Sequence, residues 1–547
     1  MAGGDAAPAA RLTAWAPLAN RIFRLLWIAQ FGSNVGSWTQ TVGAQWLLVG
    51  RGAILVTLVQ VASGVPVLLF ALPAGVLADL VDRRRLLLAA QVAMAALAGV
   101  LAALALAGHL PPAALLAFTF LLGCAAALSA PAWQAIQPSL VPRTQLAQAS
   151  ALGAVNMNTA RAVGPAVGGV LVSLAGPGWT FTLNAVSFLG IALVLLRWRP
   201  DPSAPHDDQE RENVHAALRA GGRYVRHSPR IRRVLIRAAL FTPGTAALWA
   251  LLPIVASQRL GLGSSGYGFL LGAVGVGAVT GAVLLPKAGG LLSGDHLLAG
   301  SAAVFAVALI VSATVDSTAT VAAVLVFSGI AWIGALSTLN AAMQLTLPGW
   351  VRARGLAFYL VVFQGGQALG SLLWGLVADW TSLRTALLGA AGLLLASATI
   401  IWCRRRRDAV VSDPSPTSAW PEPTLAIEPT PSDGPVLIVV DYAVDAENSE
   451  AFRAAMLHVE RSRRRTGATT WGLYQDAEQT SHFLETFTVA SWSEHLAQHH
   501  SRYTGLDREF ETRARGLVTE PPRVTHAITP GPPPPLIRAD LTQQRKS

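Results

Sequence analysis

At 547 residues the chain is 52% hydrophobic and only 13% charged, with a mean hydropathy of +0.47, which excludes an ordinary soluble globular protein and points to the bilayer as solvent. The formal charge of +11 rests almost wholly on arginine, Lys287 and Lys546 being the lysines, so its meaning depends on where it falls along the chain. Cys124 lies in an apolar run and Cys403 beside an arginine block, and neither reads as half of a disulfide or as a metal ligand.

Residues 1–24 are polar and dotted with arginine, and the apolar run that follows lacks a small-residue cleavage site. An uncleaved first span behind a cytoplasmic segment is expected. A helix rising about 1.5 Å per residue needs roughly 20 apolar residues to cross about 30 Å of hydrocarbon. Twelve such runs occur, near 25–49, 54–78, 86–108, 111–131, 149–175, 178–197, 234–256, 266–286, 296–315, 318–341, 355–378 and 383–403. With a cytoplasmic N-terminus, the inside loops hold Arg83 to Arg85, Arg143, the basic stretch Arg197 to Arg233, Lys287, Arg352, Arg354 and Arg404 to Arg407. Arg51, Arg259 and Arg384 fall outside. That asymmetry predicts a multi-pass plasma (inner) membrane protein with both termini cytoplasmic.

The polar connection 198–233 divides the spans into halves, 25–197 and 234–403. The halves echo each other. QPSLVPRTQLA before span five matches LPGWVRARGLA before span eleven, and RAVGPAVGGVL within five matches QALGSLLWGLV within eleven. Paired six-helix halves are an architecture of secondary transporters, with the substrate site between them near mid-membrane.

Between spans two and three, GVLADLVDRRRLLL (Gly75 to Leu88) sets two carboxylates and three arginines in one turn. Gly75, Asp79, Arg83 and Arg84 resemble the loop motif of the major facilitator superfamily: a glycine, an acid four residues on, then a basic cluster. The resemblance implies a close helix approach at the glycine and a charged latch that stabilises the outward-open state. An acid facing a helix N-terminus and arginines bridging to carboxylates are a physically coherent way to build one. Two departures are visible, Leu80 where a basic residue is usual and Asp82 where a glycine is usual. Arginines that only anchor topology are the competing explanation. A second stretch, GLVADWTSLR (Gly375 to Arg384), looks similar but falls on the outer face, where no latch is expected.

Span five carries NTARAVGPAVGG, Asn158 to Gly169. Gly164, Pro165, Gly168 and Gly169 resemble the glycine-proline motif of drug and proton antiporters, with Ala160 where that motif commonly has glycine. Small residues four apart permit close helix contact, and proline loosens the backbone where a gate bends. Ordinary packing explains the glycines equally well; it does not explain Arg161. An arginine within a span is costly unless it meets water or a partner. Arg161 is expected to face the central cavity and to bind an anionic or acceptor-rich part of a substrate, or a gating carboxylate. Snorkelling to the inner surface is the alternative. Asn34, Ser37 and Gln40 in span one, Asn158 in span five, and Gln364 and Gln367 in span eleven complete a weakly polar pathway, rimmed by Trp38, Trp46 and Trp133. Each of these polar residues also suits a bond between helices.

No GxxxxGK[ST] loop occurs, so an ion gradient, with protons favoured, is the expected drive. The pattern QAIQPSLVPRTQLAQASAL followed by NTARAVGPAVGG resembles the major facilitator branch of enterobactin exporters and related secretion proteins, over about residues 15–405. The resemblance implies export of siderophores, drugs or other secondary metabolites. Import of a small solute and a carrier fused to a cargo-modifying enzyme are the alternatives. No cofactor and no nucleic acid partner are expected.

A basic and Pro/Ser-rich linker, 404–434, leads to a changed pattern over 435–530. PVLIVVDYAV, ATTWGLYQD, HFLETFTVA and PRVTHAITP alternate as strands, while Ser449 to Arg464, SWSEHLAQHHSRY and Leu506 to Leu517 read as helices. That order predicts a small ferredoxin-like α+β domain. It resembles the antibiotic biosynthesis monooxygenase-like domains, WSEHLAQHH carrying most of the likeness, and the expected role is regulatory, substrate-sensing or dimerising. His495 and His499 are four apart on a helix read as having a solvated face, and no metal site is expected without ligands from elsewhere. Residues 531–547 are expected to be disordered.

Overall fold

The structure, a computed structural model, describes residues 13, 15–198, 214–287, 293–404 and 429–529; residues 1–12, 14, 199–213, 288–292, 405–428 and 530–547 lie outside the described residues. Twelve long helices form the membrane portion: α1 (Arg21–Leu48), α2 (Ala53–Leu80), α3 (Arg83–Leu106), α4 (Pro112–Leu140), α5 (Leu146–Ala175), α6 (Gly178–Arg197), α8 (Pro229–Ile254), α9 (Ser264–Lys287), α10 (Gly294–Thr314), α11 (Thr318–Thr346), α12 (Arg352–Trp380) and α13 (Leu383–Cys403). Their starts follow capping chemistry. The Asn20 side chain accepts from the amides of Ile22 and Phe23, Asp82 from Arg85, and Ser382 from Thr385. Asp82, out of place in the loop motif, is thus the N-cap of α3.

Ten described helices are long and apolar enough to cross a membrane. Of the twelve, α1 and α5 fall short, because Asn34, Gln40, Gln45, Asn156, Asn158 and Arg161 interrupt them. Several helices also outrun their apolar stretches. α4 continues to Leu140 and α11 to Thr346, beyond the limits that hydrophobicity alone sets.

The chain divides into two compact units. The first contains the long helices. There α1 packs on α5 and α6, α3 on α6, α2 on α4, α10 on α13, and α5 crosses between the halves to pack on α9.

The second unit joins three separated stretches: 211–233, 343–356 and the C-terminal domain. The first holds an unexpected helix, α7 (Val214–His227). The domain runs β1 (Val436–Ala443), α14 (Ser449–Thr466), β2 (Thr470–Gln475), β3 (His482–Val489), α15 (Trp492–Ala497), α16 (Gly505–Arg515) and β4 (Arg523–Ile528). Its sheet order is β2-β3-β1-β4, antiparallel throughout, the ferredoxin-like plait. Strand alternation buries Val436, Ile438, Val440 and Tyr442 of β1 beside Phe483, Phe487 and Val489 of β3, under Phe452 and Met456 of α14. Glu485 is buried on the same face and is satisfied there. It accepts from Arg463 Nε at 3.0 Å, Tyr442 OH at 2.8 Å and Trp471 Nε1 at 2.9 Å.

Candidate substrate pathway and gates

Helix α5 is built to be approached from two sides. On one side, a side chain added at Gly164 would sit 2.5 Å from Cβ of Trp38, and Gly168 lies against Thr39 and Val42, so α1 and α5 touch backbone to backbone. On the other, a Cβ on Gly169 would sit 2.7 Å from Cα of Gly268, and the Pro165 carbonyl also abuts Gly268, so α5 and α9 meet equally closely across the halves. Small residues allow this because dispersion and packing, not hydrophobicity, hold helices together in lipid.

Between the halves lies a cavity of about 150 Å³. Trp38, Gln60, Ser63 and Arg161 line it from α1, α2 and α5, and Trp249, Trp332, Gln364, Gln367 and Ser371 from α8, α11 and α12. The Arg161 guanidinium lies over the Trp38 ring, 5.6 Å from its centroid, with Nη1 donating to Asn158 Oδ1 at 3.4 Å. Trp38, Trp249 and Trp332 form a chain of rings at 6.2 and 5.5 Å. Buried here without hydrogen-bond partners are Trp249 Nε1, Trp332 Nε1 and Gln367 Oε1. Two donors, one acceptor and one cation facing an aromatic wall form a surface for a flat, acceptor-rich organic group.

The other expected pathway residues are scattered. Asn34 donates to Asn156 Oδ1 at 2.9 Å and lines, with Gln30, Trp27 and Trp133, a second cavity of about 320 Å³ within the first half. Gln40 is buried and accepts from Asn184 of α6 at 2.7 Å, a bond between helices. Ser37 is exposed. Trp46 stacks on Tyr267 at 6.1 Å. In the loop motif, Arg84 donates from Nε and Nη2 to the carbonyls of Leu195 and Leu196 at the end of α6, at 2.8 and 2.9 Å. Gly75 and the Asp79 side chain lie outside the described residues.

Sequence reasoning missed a contact at the opposite end of the helices. Asp379, in the stretch expected to have no latch, reaches across the halves to the start of α2. Its two carboxylate oxygens accept from the amides of Ala53 and Ile54, at 2.6 and 3.0 Å, and Gly375 one turn earlier packs on Thr57. Nearby, Gln45 of α1 accepts from Tyr267 OH at 2.5 Å and donates to the Trp249 carbonyl at 3.2 Å. The ends of the halves formed by the α1–α2 and α12–α13 connections are therefore joined. The signal was present as GLVADW repeating the GVLADL of span two.

The family described as transmembrane secretion effector matches residues 12–532, the C-terminal domain included. The chain belongs to this family. Curated relatives include the enterobactin exporter EntS of Escherichia coli O1:K1, 27% identical over 383 residues, 68% of this chain and 89% of that protein. The Salmonella typhimurium LT2 exporter is also 27% identical, over 68% and 90%. With the exporter of Shigella boydii serotype 4 the match, again 27%, spans 48% of this chain and 63% of the relative. Among solved structures, the nucleoside transporter NupG aligns over 70% of this chain and 100% of its own, with a TM-score of 0.57 at 14% identity. A bacterial homologue of the human lysosomal transporter Spinster aligns over 71% and 97%, with a TM-score of 0.58 at 15% identity. The fold of the membrane portion is that of a major facilitator transporter, and the chain is a membrane transporter.

Proposed function

We propose that this transporter exports amphipathic small molecules, siderophores or other secondary metabolites, across the bacterial inner membrane by alternating access. The cargo carries an anionic or acceptor-rich aromatic group, and the proton gradient drives its exit. The observation that carries the reading is Arg161 in the cavity between the halves, beside indole N–H groups that no protein atom satisfies. A cation and two donors against rings suit a catecholate-like group better than a sugar or an inorganic ion. The enterobactin exporters among the curated relatives support reading the direction as export.

In the proposed orientation both termini are cytoplasmic, and the joined end held by Asp379 is the outer gate, closed in an inward-facing state. Gly75, Asp79, Arg83 and Arg84 are then the inner latch, engaged in the outward-facing state, with Arg84 held on α6 meanwhile. The C-terminal domain regulates the carrier or pairs it with a second copy.

The test uses inside-out vesicles energised to a proton gradient, with a pH dye followed as catecholate siderophores and cationic drugs are added. Gradient collapse on catecholate addition, present in the wild type and at least about tenfold weaker in Arg161→Ala at equal expression, is the expected result. Equal transport by the two proteins removes Arg161 from the mechanism. Uptake of labelled compound into intact cells would reverse the direction.

A further inference from the structure

His495 does not lie on a solvated helix face, while His499 is half-buried. His495 is 1% exposed, and the chain around it brings a third histidine from far along the sequence. His526 stands on β4, the edge strand beside β1. The His495 ring lies 4.5 Å from that of His499 and 4.9 Å from that of His526, centroid to centroid. One ring nitrogen from each can be chosen so that all three lie within 4.8 Å of one another.

Hydrogen bonding leaves this cluster incomplete. A neutral imidazole carries one donor and one acceptor, yet neither nitrogen of His495 has a partner, and Nε2 of His526 has none. Burying such groups unpaired is costly, and native structures do so where a ligand or ion completes them. Burial, with the neighbouring His499, His526 and Arg463 adding, lowers the His495 pKa. Neutral imidazole is the form that binds metal. The cation among these neighbours, Arg463, is itself neutralised by Glu485 at 3.0 Å and Glu511 at 3.4 Å.

The backbone contributes as well. After Ala497 the helix widens into a π-turn, Gln498–Arg502, and such turns recur at functional sites because they re-aim a side chain. Here the π-turn carries His499. We propose that His495, His499 and His526 form a binding site for a divalent transition-metal ion of the zinc type. Three imidazoles favour zinc, cobalt, nickel or copper over magnesium and calcium, which take oxygen ligands. In a tetrahedral shell with bonds of about 2.0–2.1 Å the ligand nitrogens lie about 3.4 Å apart, so nitrogens now up to 4.8 Å apart close by as much as about 1.4 Å on binding. Three histidines also leave one tetrahedral position for water or an anion, and a small recess lined by Gln498, Tyr503, Phe487 and Arg463 opens beside His499.

The experiment uses the full-length chain in detergent, purified through a tag free of histidine, stripped of metal, loaded with Zn2+ or Co2+ and desalted. Wild type is expected to retain one Zn2+ per chain and, with Co2+, to give the intense visible bands of a tetrahedral nitrogen-bound ion. His526→Gln and His499→Gln should each weaken retention at least tenfold, whereas His482→Gln, on the far side of the sheet pair and bonded to Asp441, should match wild type. Folded wild type that retains no Zn2+, or equal retention by all variants, overturns the site. Should the variants misfold, the wild-type Co2+ spectrum decides alone, since the pale bands of octahedral aqua cobalt would overturn it too.

Discussion

Arg161 is a charge placed where a charge is expensive, at about 2.5–3.5 kcal/mol for an arginine at the centre of a span. Its contact with the Trp38 face returns about 0.5–2 kcal/mol, which leaves it under-compensated until something else arrives. Arg161→Lys keeps the charge but loses the planar fork, so transport should fall several-fold in Lys and at least about tenfold in Ala. A dye-quench assay at matched expression reads both, and a lysine variant as inactive as alanine would show that geometry outweighs charge. In the C-terminal domain the decisive residue is Glu485, fully buried with Arg463. Glu485→Ala should destabilise that domain by about 3–5 kcal/mol because it removes the nearer of the two carboxylates that neutralise the buried Arg463 guanidinium and takes the acceptor from Tyr442 and Trp471. The double variant Glu485→Leu with Arg463→Met should recover most of the loss in thermal melts. Arg161 was legible in the sequence because an arginine inside an apolar run has few bland explanations. Trp249 and Trp332 were not, since a tryptophan in a span is common and its unpaired N–H shows only in three dimensions. Gln40 looked like a pathway residue by helical spacing, but spacing cannot say which of two neighbouring helices a face meets, and the neighbour proved to be α6.

At the level of elements, α2 and α12 share a sequence pattern at their ends, and the second acts on the first. Each ends in a glycine followed four residues later by an aspartate, and the end of α12 caps the start of α2 through Asp379. A carboxylate at a helix N-terminus gains from the dipole and from two charge-assisted bonds, together about 1.5–3 kcal/mol. Asp379→Asn keeps the shape and removes the charge, so the equilibrium should move about tenfold toward opening at this end. Spin labels placed on the α1–α2 and α12–α13 connections would report a longer distance population; an unchanged distribution would show that α5 and α9 hold this end without help. They are the other candidates, because Gly169 and Gly268 allow a contact that any larger residue blocks. Gly169→Leu should therefore shift the labels in the same direction as Asp379→Asn, and by more. The twelve long helices were readable as apolar runs, α1 and α5 despite the polar residues that interrupt them, but their overruns were not. Past the apolar limit, as at the end of α4, the helix is continued by packing against its own half, with Ile136 and Leu140 buried among residues of α1 and α5.

For the molecule as a whole, the domain order of the tail was legible because strands with one buried face alternate openly, as β1 and β3 do. Its union with two other stretches was not. Those contacts link residues more than a hundred positions apart, through side chains that also suit an ordinary surface. Arg223 of α7 lies 3.7 Å from Glu494, Tyr224 meets Trp350 edge-on at 5.5 Å, and Arg502 both pairs with Glu494 and stacks 4.8 Å from the centroid of Trp350. Arg465, held by Asp507, lies 5.8 Å from the Tyr224 ring. The linker before α8 and the turn leading into α12 are thus fastened to the same small domain. Helices α8 and α12 both line the cavity, so the domain is fastened to the chain segments just ahead of two cavity-lining helices of the second half. Trp350→Ala removes the ring shared by Tyr224 and Arg502 while leaving the domain core intact. Amide hydrogens of α7 should then exchange at least about tenfold faster, equivalent to about 1.4 kcal/mol of lost local protection, with β1 and β3 unchanged. Acceleration in the sheet as well would mean that Trp350 supports the fold of the domain, and no acceleration in α7 would mean that Arg223 with Glu494 is sufficient to hold it.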